Sequence, residues 1–208
     1  MIDNETLDTM LWKKVSRIKQ ELNFTQIKAI ADLFAHIVDY KSPFTSNHSI
    51  GVAEGAEKIS RFMGFDEDIC QKMYLAGALH DIGKVAIGNE ILEKPEKLTD
   101  EEFKTMKHHA VYTYYILSGI DDFEEIRDWA ALHHEKLNGK GYPFGKTADE
   151  LNEQERIMAC IDIYQALTEN RLYKKGLSHE KACDILDDMA QKGFGDSDIS
   201  NKIRECFK

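Results

Sequence analysis

The sequence places imidazole and carboxylate groups where a soluble helix would ordinarily bury only carbon. His48 falls in register with Val52, Gly55 and Ile59, His80 with Met73, Ala76 and Gly77, and His133 with Ile126, Trp129 and Ala130. Asp162 follows Met158 and precedes Gln165 and Ala166 on another such face. Asp81 adjoins His80, while His109 and His134 each close a His-His pair. Taken singly, each reads as a hydrogen-bonded core residue. Their convergence calls for a shared partner, because an unpaired buried charge or imidazole is costly. Imidazole and carboxylate donors without thiolate suit Fe, Mn, Ni or Zn better than Mg or Ca.

The stretch ALHDIGK at 78–84 carries the sharpest version of this pattern. Aspartate is a poor helix former and is rarely buried unpaired. Neighbouring helix residues point ~100° apart, so His80 can face one cation while Asp81 reaches between two. A carboxylate bridging cations ~3.5–4 Å apart is strongly compensated. Gly83 ends the helix, and Lys84 can then turn to a cavity mouth, where its ammonium would balance phosphate oxygens. The competing reading of Lys84 is a solvent lysine beside a helix C-terminus.

The elements that must position these groups are helices. Three prolines and thirteen glycines in 208 residues favour long helices over many short strands. Ile27, Ile30, Ala31, Phe34, Ala35 and Val38 keep the amphipathic rhythm until Lys41-Ser42-Pro43 stops it. Helices are expected from about Ser49 to Met63 and from about Glu67 to Gly83. Thr99 and Glu102 form a capping box that opens a helix through EEFKTMK. Further helices are expected around 109–118, 122–137, 153–169, 178–191 and 197–206. LNGKGYPFGKT at 137–147 is the one shaped loop rich in Gly and Pro. The fold class that follows is all-α.

Apolar and charged contents of 42% and 31% are those of a folded soluble chain. The net charge of −10 argues against binding a nucleic acid polymer, though not against a small anion met by local positive charge. No apolar run approaches the ~20 residues of a membrane span. The acidic opening MIDNETLDTM is no signal peptide. Four widely spaced cysteines without a Cys-x-x-Cys pair read as reduced thiols, so a cytoplasmic location is expected.

In this order the motifs resemble the HD superfamily of metal-dependent phosphohydrolases. HHEKLNGKGYP at 133–143 narrows the resemblance to the HD-GYP branch, the cyclic di-GMP phosphodiesterases. The match runs through HSIGVA (48–53), HDIGK (80–84), HHAVYTYYIL (108–117) and ACIDIYQALTENRLYKK (159–175), about two-thirds of the chain. It implies an HD-domain bundle, a five-helix core with additional helices, around a binuclear site in residues 46–208. Residues 1–45 would form a helical segment packing on that domain or leading into it.

The resemblance further implies His48, His80, Asp81 and Asp162 around one metal, and Asp81, His109, His133 and His134 around the second. His109 is preferred to His108 because of its spacing to Ile116-Leu117. Lys84, Arg171 and Lys174 match positions associated with substrate phosphates, and Tyr142 is the tyrosine of the GYP signature. Gly141-Tyr142-Pro143 also reads as a rigid turn with a packing aromatic. The implied cofactors are two divalent transition-metal ions, Fe or Mn first, Zn or Ni second. The implied reaction is attack by a metal-bridging hydroxide on a cyclic dinucleotide, giving linear pGpG and then GMP. Another hydrolase of a hybrid cyclic dinucleotide or nucleotide, and a nucleotide-sensing or docking module, are the alternatives. A homodimer or an upstream sensory or regulatory domain or protein are the partners left open.

Departures from the pattern are specific. Phe44 stands where trinuclear members carry a glutamate ligand, which speaks for two metals. Gly51 replaces an Arg, Gln165 replaces the second Asp of the D-x-x-D-A segment, and Ala110 and Thr113 replace the usual Pro and Gly.

Overall fold

A computed structural model of the chain describes residues 21–41, 47–170 and 175–208. Helix α1, Phe24–Lys41, buries Ala31, Ala35 and Val38, whereas Ile30 and Phe34 of the expected apolar stripe stay partly exposed. They line an apolar groove of about 410 Å³ with Leu79, Ile82 and Ile116. Helix α2, His48–Phe62, has no side-chain cap from its own N-cap residue, Asn47. Asp39 of α1 substitutes, accepting from the Ser49 backbone N–H at 3.0 Å and the Ser49 hydroxyl at 2.8 Å. This accounts for a buried aspartate and sets the start of α2, and with it His48.

Helix α3, Glu67–Leu79, is capped by Asp66, which accepts from the Ile69 N–H, and packs along α2. It ends at Leu79, four residues before the expected Gly83, and a 3₁₀ turn, Ile82–Ala86, follows. That turn lies on the later helix that carries His109, and a Cβ on Gly83 would stand 1.9 Å from the His109 carbonyl oxygen. Glycine is therefore required by close approach rather than as a helix terminator. A short helix α4, Asn89–Leu92, leads to α5, Asp100–Leu117. The Thr99–Glu102 capping box forms as expected. The two helices expected over 99–118 are one, because nothing near Lys107 breaks the pattern and His109 points inward.

Helix α6, Glu124–Ala131, is shorter than the expected 122–137. His133 and His134 thus sit in the turn beyond it, although Ile126, Trp129 and Ala130 form the buried stripe expected. A 3₁₀ turn, Ala148–Glu150, precedes α7, Glu153–Thr168, which opens on an Asn152–Glu155 capping box. Helices α8, His179–Gln191, and α9, Ser197–Cys206, pack on each other and on α7. Arg156 ties α7 to the N-cap of α9 through Asp196 at 3.0 Å.

Ile59, Met73, Leu117, Leu132, Ile157, Met158, Ile161 and Ile203 are almost wholly buried between these helices. Each such side chain contributes about 1.5–3 kcal/mol relative to exposure. Among the described residues the only strand-like pairing is a single bridge between Asn138 and Thr147. The protein is all-α. Five helices, α2, α3, α5, α6 and α7, carry or directly precede the inward-facing imidazoles and carboxylates.

Candidate metal centre

Three helices hand their histidines to the centre by one local device. The Nδ1 groups of His80, His109 and His133 lie 2.7, 2.6 and 2.6 Å from the carbonyl oxygens of Gly77, Met106 and Ala130, each three residues back. A carbonyl only accepts, so Nδ1 carries the donated proton and Nε2 turns its lone pair inward. The Nε2 atoms of His109 and His133 are buried without a hydrogen-bond partner. Orphaned buried nitrogens of this kind need an explanation, and a cation supplies one.

Asp81 occupies the middle. Its Oδ1 lies 3.3 Å from His109 Nε2, and its Oδ2 lies 3.3 Å from His80 Nε2. Asp162 has Oδ1 3.0 Å from His48 Nε2 and 3.8 Å from His80 Nε2, and Oδ2 4.0 Å from His134 Nδ1. Donor atoms lie within 4.8 Å of one another in three sets: His48, His80 and Asp162; His80, Asp81 and His133; and His109, His133 and His134. The structure thus brings together every expected metal-site residue. His108 stays outside, exposed and against Tyr112. The donor set fits one or more transition-metal ions.

The electrostatics agree with a site built for cations. Burial opposes ionisation of Asp81, but Lys84 and His80 outweigh it and hold the carboxyl well below its usual range. Burial opposes ionisation of Asp162 as well, and its hydrogen bond and charge attraction with His48 prevail. Burial also opposes protonation of His80, yet Asp81 and Asp162 raise it to about 9. Burial lowers His109 and His133, keeping them neutral and able to donate lone pairs.

Lys84 is no solvent lysine: it is mostly buried, with Nζ 2.5 Å from Asp81 Oδ2. The Tyr142 ring stands 4.7 Å from the His134 ring and 6.3 Å from that of His109, forming one wall. Burial raises its phenol well above the ordinary range, so it stays protonated. Arg171, Lys174 and Phe44 lie outside the described residues.

Residues without an assigned role in the sequence reading complete the scaffold. Glu135, buried, accepts from the backbone N–H groups of Phe144, Gly145 and Lys146 at 2.6, 3.0 and 3.1 Å. It thereby draws the Gly-Tyr-Pro loop onto the His-His-Glu turn, where Tyr142 N–H donates to the His134 carbonyl at 3.2 Å. A Cβ on Gly141 would lie 2.4 Å from the Lys136 nitrogen, so only glycine fits that fold-back. Thr113 donates to the His80 carbonyl at 2.9 Å and accepts from Gly83 N–H at 3.0 Å, clipping the His-Asp turn to α5. The HHE triplet is the one sequence signal for Glu135, and Thr113 shows in the sequence only as a departure from the family's glycine.

Comparison with known proteins agrees with this geometry. Residues 32–199 match the model of a family described as HD domain. The chain is 35% identical over 185 residues to a 3'3'-cGAMP-specific phosphodiesterase of Vibrio cholerae, covering 89% of this chain and 43% of that protein. It is 35% identical over 140 residues to a cyclic di-GMP phosphodiesterase of Pseudomonas aeruginosa, covering 67% of this chain and 34% of that one. The chain therefore spans less than half the length of these relatives. An HDG"Y"P protein of Bdellovibrio bacteriovorus superposes with a TM-score of 0.63 at 14% identity, over 89% of this chain and 64% of that one, which shows a shared fold. With the Gly-Tyr-Pro loop seated on the His-His-Glu turn, the chain belongs to the HD superfamily of phosphohydrolases and to its HD-GYP family.

Proposed function

We propose that the chain carries a metal-dependent phosphodiesterase activity on a cyclic dinucleotide, with cyclic di-GMP as the first substrate to test. One observation carries this reading: the two oxygens of Asp81 face imidazoles of two different donor sets, and the set around His109 ends in orphaned nitrogens. His48, His80, Asp81 and Asp162 would hold one ion, and Asp81, His109, His133 and His134 the second. Fe or Mn are the first choices, with Zn or Ni as alternatives. When bound, such ions make water more acidic and neutralise phosphoryl oxygens. The chain's own groups do the rest. Asp81 and Asp162 stay ionised, the Nδ1–carbonyl bonds keep His80, His109 and His133 aimed, and Lys84 Nζ lies against the Asp81 carboxylate. Tyr142 walls the site against water. Arg171 and Lys174 are assigned to substrate phosphates through the family resemblance.

A second reading, preference for a hybrid cyclic dinucleotide, has one structural support. Gln165 lies over Gly51, where a Cβ would stand 2.0 Å from the Gln165 amide nitrogen. A neutral amide thus fills a place where the family pattern has an Arg and an Asp. A homodimer or an upstream regulatory domain or protein is a separate proposal. It rests on the exposed Ile30, Leu33, Phe34 and Ile37 of α1 and on the greater length of the relatives. A cytoplasmic location rests on the cysteine pattern; among the described residues no helix is long and apolar enough to cross a membrane.

The test is product analysis with metal-loaded protein given cyclic di-GMP, 3'3'-cGAMP and cyclic di-AMP side by side. Linear pGpG or GMP from cyclic di-GMP supports the first reading. Faster cleavage of 3'3'-cGAMP supports the second. Metal retention without any turnover would replace both with a sensing or docking module.

A further inference from the structure

We infer that Glu169 is a positioning residue for His48, its carboxylate accepting the Nδ1 proton so that Nε2 faces the metal. The inference rests on the metal-site reading above. His80, His109 and His133 have their tautomers set by a carbonyl three residues earlier. His48 is the first residue of α2, and none of the described residues sets a carbonyl one helical turn behind it. Its Nδ1 is buried without a hydrogen-bond partner, while its Nε2 faces Asp162 at 3.0 Å. Glu169 Oε2 lies 3.8 Å from that Nδ1, on a side chain only 9% exposed. A small rotation of the glutamate would shorten this to the ~2.9 Å of a hydrogen bond.

Both partners are held from behind. Asp39 fixes the first turn of α2 through Ser49. Glu169 caps α7, its N–H donating to the Gln165 carbonyl at 2.9 Å. Near it, Leu177 N–H donates to the Leu167 carbonyl at 2.8 Å. A Cβ on Gly176 would stand 1.9 Å from the Thr168 oxygen, so Gly176 lies close against the end of α7. A carboxylate behind a ligating imidazole fixes the ring and raises its basicity, and losing such a partner typically weakens metal affinity roughly 10–100-fold. Glu169 thus does for His48 what Gly77, Met106 and Ala130 do for the other three rings, with a negative charge added.

The experiment titrates the metal-free chain with Mn²⁺ against a chromophoric chelator, for wild type, Glu169→Ala and Glu169→Gln. Melting of each metal-free variant reports folding. Glu169→Ala should weaken one binding step about 10–100-fold, and Glu169→Gln, which keeps an acceptor oxygen, should recover most of the loss. Imidazole ¹⁵N spectra of the Zn²⁺-loaded wild type and Glu169→Gln should show the His48 Nδ1–H donating to a carboxylate in the first and shifted in the second, which decides the matter if the alanine variant fails to fold. Wild-type affinity in Glu169→Ala, or His48 protonated at Nε2, would overturn the inference. Equal loss in both variants would overturn it in favour of a direct ligand. Absence of any Mn²⁺ or Zn²⁺ binding by the wild type would overturn this inference and the metal-site reading together. Metal binding with the expected variant pattern but no hydrolysis would overturn only the proposed activity.

Discussion

Lys84 and Asp81, one 3₁₀ turn apart, are in contact: the ammonium lies 2.5 Å from Asp81 Oδ2, on the carboxylate that also faces His80 and His109. The lysine therefore balances negative charge at the centre without offering a lone pair to a cation. Lys84→Ala should leave the metal content per chain intact while impairing substrate handling. Loss of one charge-assisted hydrogen bond costs about 1.5–3 kcal/mol, so kcat/KM should fall roughly tenfold to hundredfold. Elemental analysis alongside initial rates checks this, and unchanged kinetics would remove Lys84 from the reaction.

Asp81→Asn tests the bridging role. Asparagine keeps one acceptor oxygen but loses the charge and the second oxygen, which face His80 and His109 from opposite ends of the carboxylate. Both metal retention after dialysis and phosphodiester hydrolysis should fall steeply. Near-normal values of both would show that Asp81 bridges nothing.

Metal uptake should depend on pH through His80. Its folded-state value is raised from 6.5 to about 9, because Asp81 and Asp162 outweigh the burial that opposes protonation. In the metal-free protein the proton's contribution to stability is full below the unfolded value of 6.5 and fades as pH rises through about 9. A cation needs the neutral imidazole, so it must displace that proton. Affinity for Mn²⁺ should therefore climb with pH between about 6.5 and 9, with about one proton released per chain near neutrality. Calorimetry in buffers of different ionisation enthalpy measures the release; a flat profile across that window would contradict the assignment.

Glu135 should matter to the loop more than to the ions. It accepts from the backbone N–H groups of Phe144, Gly145 and Lys146, and hydrogen bonds to a carboxylate are worth about 1.5–3 kcal/mol each. Glu135→Ala should destabilise the fold by about 3 kcal/mol or more in urea unfolding. It should also raise KM, as Tyr142 loses its seat beside His134. Glu135→Gln, retaining one acceptor oxygen, should lie between the two. Full stability in the alanine variant would detach the loop from this residue.

Helices announced by local chemistry are legible in the sequence, and helix ends decided by tertiary contacts are not. The Thr99–Glu102 box and the periodicity of α7 are written in neighbouring residues. The end of α6 is not, because the residues after Ala131 are drawn away by contacts with a loop ten positions later. Gly83 looks like a helix stop along the chain, whereas its smallness serves an approach to α5. The inward-facing polar set was legible for a different reason: each buried imidazole or carboxylate alone reads as an ordinary core residue, but together they break the usual inside–outside rule. Their supports do not stand out. Thr113 shows only as a departure from the family's glycine, and nothing in the sequence says that its hydroxyl joins the His80 carbonyl to the Gly83 N–H.

The number of ions is the last expectation to test. Trinuclear relatives offer a glutamate four residues before the first ligating histidine, and this chain has Phe44 there. A phenyl ring gives no lone pair to a cation. A substitute carboxylate from α1 would have to be Asp39, but both its oxygens are engaged by Ser49, at 3.0 and 2.8 Å. Releasing them would strip α2 of the cap that positions His48. The donors that converge divide naturally between two ions, His48, His80 and Asp162 on one side and His109, His133 and His134 on the other, with Asp81 between. Elemental analysis of protein purified without chelator should therefore find about two transition-metal ions per chain. Phe44→Glu should raise that number toward three if position 44 faces the cluster, and leave it at two if it does not. Three fully occupied ions in the unmodified protein, seen by anomalous scattering, would show that another carboxylate completes a third site.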